Sequence, residues 1–111
     1  MTIQRYKWMP LKDALSYENE AKKLRVSEVA RSNRGFMRAY ERARGDPSVM
    51  SMMLVPGINR TTFWDKRRDE FVARHLAQYR KPGGKTRRRW LALVMWAYKP
   101  STPRPPTSPH S

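Results

Sequence analysis

No cysteine occurs among the 111 residues, which excludes disulfides, thiolate nucleophiles and cysteine-ligated zinc together. Acidic residues are scarce: nine Asp plus Glu face 24 Lys plus Arg, leaving a net charge of +15 and an isoelectric point near 11.1. Self-repulsion of that size opposes compaction unless a polyanion offsets it. Nucleic acid, DNA or RNA, is therefore the expected partner, ahead of an acidic protein surface or an anionic membrane. Long apolar runs are also missing. The longest, Trp90 to Tyr98, is far short of the ~20 residues that span a bilayer. No charged leader followed by an apolar stretch opens the chain, so neither secretion nor membrane insertion is expected. The expected location is a reducing interior: cytoplasm, nucleoid or nucleus, or the inside of a virion. An acid-free, basic start (Arg5, Lys7, Lys12) is the one feature shared with transit segments.

What is present suffices for one core. Hydrophobic residues make up 39% and aromatics 11% of a chain of single-domain length. The positive surplus is spread along the sequence, only residues 46–60 being neutral, as expected of a folded body with a basic surface. The expected fold is all-α, a bundle of four to six short helices over residues 1–98. Residues 99–111 (KPSTPRPPTSPHS), five of them proline, form a disordered tail.

Pro10 opens a first helix over Leu11 to Leu24, with Leu11, Ala14, Leu15, Tyr17, Ala21 and Leu24 as an imperfect apolar stripe. Ser27 caps a second, Gly35 breaks it, and Phe36, Met37 and Tyr40 restart an apolar face that Gly45 ends. Asp46-Pro47 starts a short buried helix through Val49, Met50, Met52, Met53, Leu54 and Val55, assigned to the core. Thr62 and Asp65 approximate a capping box ahead of the longest helix, 62–81, on which Trp64, Arg68, Phe71, Val72, His75, Leu76 and Tyr79 share a face. There Glu70 and Arg74 stand one turn apart as a possible pair. Pro82-Gly83-Gly84 ends it, and Thr86 caps a last helix whose apolar run belongs at the centre of the core. The expected core is Trp64, Phe71, Val72, Leu76, Trp90, Leu91, Val94 and Met95.

The strongest local signal is the segment 80–89, with six cations (Arg80, Lys81, Lys85, Arg87, Arg88, Arg89) and no acid. Such a cluster on a loop neutralises phosphates and releases counterions, while loop glycines let backbone amides approach an oxyanion. A solvated cationic turn or a nuclear-localisation signal would share this composition. Arg67, Arg74, Arg38 and Arg42 form a second candidate group. Trp8 and Tyr6, set among Arg5 and Lys7, are the candidate exposed stacking pair.

Other patterns lead nowhere catalytic. Gly84-Lys85-Thr86 matches the end of a Walker A loop, but Tyr79 stands where its first glycine belongs. Asp65 and Asp69 lie among Lys66, Arg67 and Arg68, which suits salt bridging better than a metal. His75 reads as a packed core residue rather than a base. No nucleophile, base and orienting acid come together, so neither an enzyme nor a cofactor is expected. The stretch Val26 to Ala43 has the layout of a helix-turn-helix, which would turn Arg34, Arg38 and Arg42 to the groove. Ala30 to Gly35 is five residues instead of the usual four, however, and the bulky Phe36 follows the turn.

Val26–Ala43, Phe71–Gln78 and Thr86–Pro100 together resemble a set of small basic helical proteins of bacteria and large DNA viruses. The resemblance spans roughly residues 6–100 and transfers no functional residue, since no activity is assigned to that set. It implies a DNA-associated or virion role. The rival expectation is an interaction protein docking through Met50, Met52, Met53 and the two P-x-x-P motifs of the tail.

Overall fold

The structure, a computed structural model, describes residues 6–56 and 62–100. Seven α-helices follow one another among the described residues: α1 (Leu11–Ser16), α2 (Glu18–Lys23), α3 (Glu28–Arg31), α4 (Phe36–Arg42), α5 (Pro47–Met50), α6 (Trp64–Arg80) and α7 (Arg87–Val94). Five of them have six residues or more, in line with the expected all-α bundle. Among the described residues β-structure is limited to two isolated antiparallel bridges, Trp8 with Tyr98 and Leu54 with Phe63. The tail from residue 101, with both P-x-x-P motifs, lies outside the described residues, and Pro100 just before it is buried.

The expected first helix is divided. Ser16 Oγ donates to the Asp13 carbonyl at 2.6 Å, and Tyr17 N reaches back only three residues to Ala14, so the helix turns at Tyr17 and restarts. Ser27 caps nothing with its hydroxyl: its φ of 55° places it in the left-handed region, and its carbonyl instead accepts from Arg31 N. The capping box at Thr62 also fails. Residues 62–63 are extended, Thr62 O accepting from Val55 N, so α6 starts from Phe63 and Asp65 bonds the adjacent Lys66 N–H. Two caps hold as expected. Asp46 accepts from Ser48 N ahead of Pro47, and Thr86 Oγ1 accepts from Arg89 N.

The core gathers Phe36, Met37, Tyr40, Met50, Trp64, Val72 and all of Leu91 to Ala97. Seven of the eight expected core residues are buried; Phe71 is only half-buried. The methionine segment departs further. After one turn of α5 the chain straightens, side chains alternate, and Met50 and Met53 face inward while Met52 (70% exposed) and Leu54 (50%) face out. Gly35 packs α4 onto α3 so tightly that a Cβ there would lie 2.1 Å from the Val29 carbonyl oxygen. The small-residue turn contact of a helix-turn-helix is thus present, yet α3 is a single turn, too short for that motif's first helix.

A buried arginine closes the fold. Arg68, inward on α6, is 0% exposed and has all five N–H groups engaged. Nε donates to Trp96 O (3.0 Å), Nη1 to Tyr6 O (3.0 Å) and Asp69 Oδ1 (2.8 Å), and Nη2 to Lys7 O (2.6 Å) and Ala97 O (3.0 Å). Burial pushes its pKa down while Asp69 opposes that shift. Trp8 lies beneath the guanidinium, 4.1 Å from ring centroid to Cζ, and packs on Phe36 and Tyr40; Tyr6 meets Tyr98 edge-on. The expected exposed stacking pair is therefore structural, because Arg68 draws residues 6–9 onto the body.

Candidate nucleic-acid interface

The cationic segment 80–89 divides into three environments. Lys81, Pro82 and Gly83 form an exposed turn pinned from beneath by Gly84. Gly84 N donates to Lys81 O at 2.8 Å, and a Cβ at Gly84 would lie 2.1 Å from Gln78 O. That close approach demands glycine, and Arg80, Lys81 and Lys85 around it are exposed and without ion pairs among the described residues. Arg87 behaves differently: it is largely covered and bridged to Glu20 of α2. Arg88 donates to the Leu24 carbonyl, while Arg89 turns toward α6.

The second candidate group is likewise divided. Arg38 is neutralised by Glu18 and by Glu41, the latter at 3.0 Å. Arg38 and Arg87 are thus each engaged by a carboxylate, with which a phosphate would have to compete. Arg42 and Arg74 are exposed, and Arg74 lies 5.9 Å over the Phe71 ring instead of pairing with Glu70. Arg67 is half-buried.

Tertiary folding adds what the chain order hides. The turn joining α2 to α3 packs beside the middle of α6, creating two adjoining hollows of about 280 and 530 Å³. Arg25, Ser27 and Phe71 line both. Arg88, Arg89, His75 and Gln78 complete the first, and Arg67, Val29 and the edge of Trp96 contribute to the second. Four arginines thus surround this groove against one carboxylate, Glu28. Its floor is a ladder of near-parallel rings: Trp96 to Phe71 at 4.2 Å between centroids, then Phe71 to His75 at 3.9 Å. Burial and the neighbouring Arg74 hold the His75 pKa below its usual value, so the imidazole is uncharged at neutral pH.

Arg25 and the Phe71–His75 floor were not among the candidate residues. Arg25 ends an unremarkable basic helix in the sequence, and its place in the groove follows from a left-handed turn (φ 55° at both Arg25 and Ser27). His75, read as core, is half-buried at the groove wall. Among the described residues no group of three or more His, Asp or Glu is placed to hold a metal, and no helix is long and apolar enough to cross a membrane. Comparison of the chain with protein-family models, with curated proteins and with solved structures found no match.

Proposed function

We propose that this chain is a non-catalytic nucleic-acid-binding protein, largely indifferent to sequence, serving as an architectural component or as a subunit of a nucleoprotein or virion assembly. The observation that carries this reading is the set of exposed cations Arg80, Lys81 and Lys85, without an ion pair among the described residues, on a turn shaped by Gly84 and leading into an arginine-lined groove. Their exposure matters because cations with no carboxylate partner meet phosphates without an ion pair to break first. Contacts of this kind act on the backbone, supply affinity without base preference, and release counterions.

A filter-binding titration against duplex DNA, single-stranded DNA and RNA at several salt concentrations tests the proposal. Affinity falls steeply with salt. Replacing Arg80, Lys81 and Lys85 by glutamine lowers the log–log slope by about 2 to 3, at roughly 0.7–0.9 per phosphate contact. An unchanged slope removes the turn from the interface. Absence of binding to every polynucleotide at low ionic strength overturns the proposal.

A second reading has its own observation. Met52, Leu54 and Phe63 (41% exposed) leave apolar surface around the Leu54–Phe63 bridge, as a protein-docking component would. Met50 has no part in it, being fully buried. Partner capture that survives nuclease digestion and is lost in Met52→Ser/Leu54→Ser favours this reading.

A further inference from the structure

We infer that the groove beside α6 receives one unpaired nucleobase of a single strand, stacked against the His75 end of the ring ladder, with the flanking phosphates held by Arg25, Arg88 and Arg89. The inference rests on the nucleic-acid reading above and adds its substrate class, single strand in preference to duplex.

Three observations converge on it. First, Trp96, Phe71 and His75 form a ladder with rungs about as far apart as stacked bases, and it runs outward from a buried tryptophan to a half-buried histidine. A nucleobase at the groove wall is one more rung. Phe71 and His75 forgo full burial although both sit on the inward half of α6, and a core role leaves that unexplained. Second, the ladder ends among cations. Arg88 and Arg89 come from α7 and Arg25 from the turn after α2, so phosphates on either side of a bound base meet positive charge. Arg74 faces the ladder from α6 itself, and Glu28 is the one acid at the rim. Because His75 is neutral, the stacking surface adds no repulsion to that cluster.

Third, the rim is built at a cost. Arg25 and Ser27 both adopt φ of 55°, a conformation non-glycine residues rarely take, and Arg88 and Arg31 brace the turn through the Leu24 and Val26 carbonyls. The bracing sets Arg25 over the groove. A duplex gains little from such a cleft, because its bases are paired and stacked and offer only their edges. A single strand has free base faces, and aromatic stacking accepts all four of them.

The test uses fluorescence anisotropy with the full chain and three probes: a dT12 strand, a U12 strand, and a duplex with the same number of phosphates. The wild type binds both single strands more tightly than the duplex at equal salt. His75→Ala weakens single-strand binding roughly 5- to 160-fold, the range for losing one stacked base, while duplex affinity and the salt slope hold. His75→Phe restores it. The dT12 and U12 arms separate DNA from RNA as the source of the base. Equal losses on duplex and single strands, or none, overturn the inference while leaving the charge-based proposal intact. Failure of all three probes to bind overturns that proposal itself. As a readout independent of variants, ultraviolet cross-linking of the wild-type complex with dT12 attaches the strand at Phe71 or His75. Adducts confined to residues 80–85 overturn the groove assignment.

Discussion

Replacing Arg68 with methionine removes five hydrogen-bond donors at one stroke and leaves a shorter, uncharged side chain in a fully enclosed site. An ion pair between two side chains can often be exchanged for apolar packing at little cost, since both charged partners leave together. Arg68 is a different case. Four of its five acceptors are the backbone carbonyls of Tyr6, Lys7, Trp96 and Ala97, which no substitution at position 68 can remove. Each orphaned carbonyl costs about 1–3 kcal/mol where water cannot reach it. The Trp96 and Ala97 bonds are buried, whereas those to Tyr6 and Lys7 lie near enough to the surface for partial rehydration. Ala97 O keeps its bond from Met9 N, so one full penalty at Trp96 and two partial ones give about 3 kcal/mol, a large fraction of the ~5–15 kcal/mol available to a domain. At roughly 4–8 °C per kcal/mol, the melting temperature falls by about 12–24 °C. Urea unfolding followed by tryptophan fluorescence measures the loss, and hydrogen exchange locates it: amides of residues 6–9 and 96–98 lose protection before those of α7. Arg68→Lys retains the charge but only three donors, and its loss is intermediate. A melting temperature for Arg68→Met within a few degrees of wild type would refute the account of Arg68 as the tie between the two ends of the fold.

Further consequences follow from other sites. Gly35→Ala drives a Cβ into the backbone oxygens of Val29 and Ala30 and costs at least ~2 kcal/mol in chemical unfolding, although alanine favours helices elsewhere. Tyr40, whose hydroxyl donates to Met9 O at 2.7 Å, has its pKa pushed up to about 12, chiefly by burial. A raised pKa stabilises the fold fully below the ordinary value of 10 and loses that contribution as pH climbs toward 12; thermal melts over this window decline, and less steeply in Tyr40→Phe. The lowered pKa of His75 works at the other end, its contribution being full above 6.5 and lost as pH falls below, so a melt series from pH 7.5 to 5 is flatter in His75→Phe than in wild type. Arg87→Gln breaks the bridge to Glu20 and lowers stability more than polynucleotide affinity, whereas Lys85→Gln does the reverse. Parallel melting and filter-binding measurements separate the two.

Much of this protein was legible because it depends on neighbours in sequence. The Pro82-Gly83-Gly84 stop, the Asp46-Pro47 start, the Thr86 cap and the burial of Trp90 to Tyr98 each follow from local backbone chemistry or from an apolar run with no polar face. The exposed cations at 80, 81 and 85 were recognisable for the same reason. Local pattern and structure part where a distant residue decides. Ser27 and Thr62 are good caps by type, but a left-handed turn and a short antiparallel bridge claimed their backbones. Trp8 stands beside basic residues in the sequence, and it is Phe36, Tyr40 and Arg68, about thirty to sixty residues later, that cover it.

The sequence by itself determined that the chain is helical, basic, free of thiol chemistry and equipped with a glycine-punctuated cationic turn, because composition and short-range patterning govern those properties. Only the tertiary structure decided which arginines remain free for a ligand. Charge is written residue by residue, but pairing depends on what folding brings within a few ångströms: Glu20 takes Arg87, Glu18 takes Arg38, four carbonyls take Arg68, and Arg25 is left beside the ring ladder.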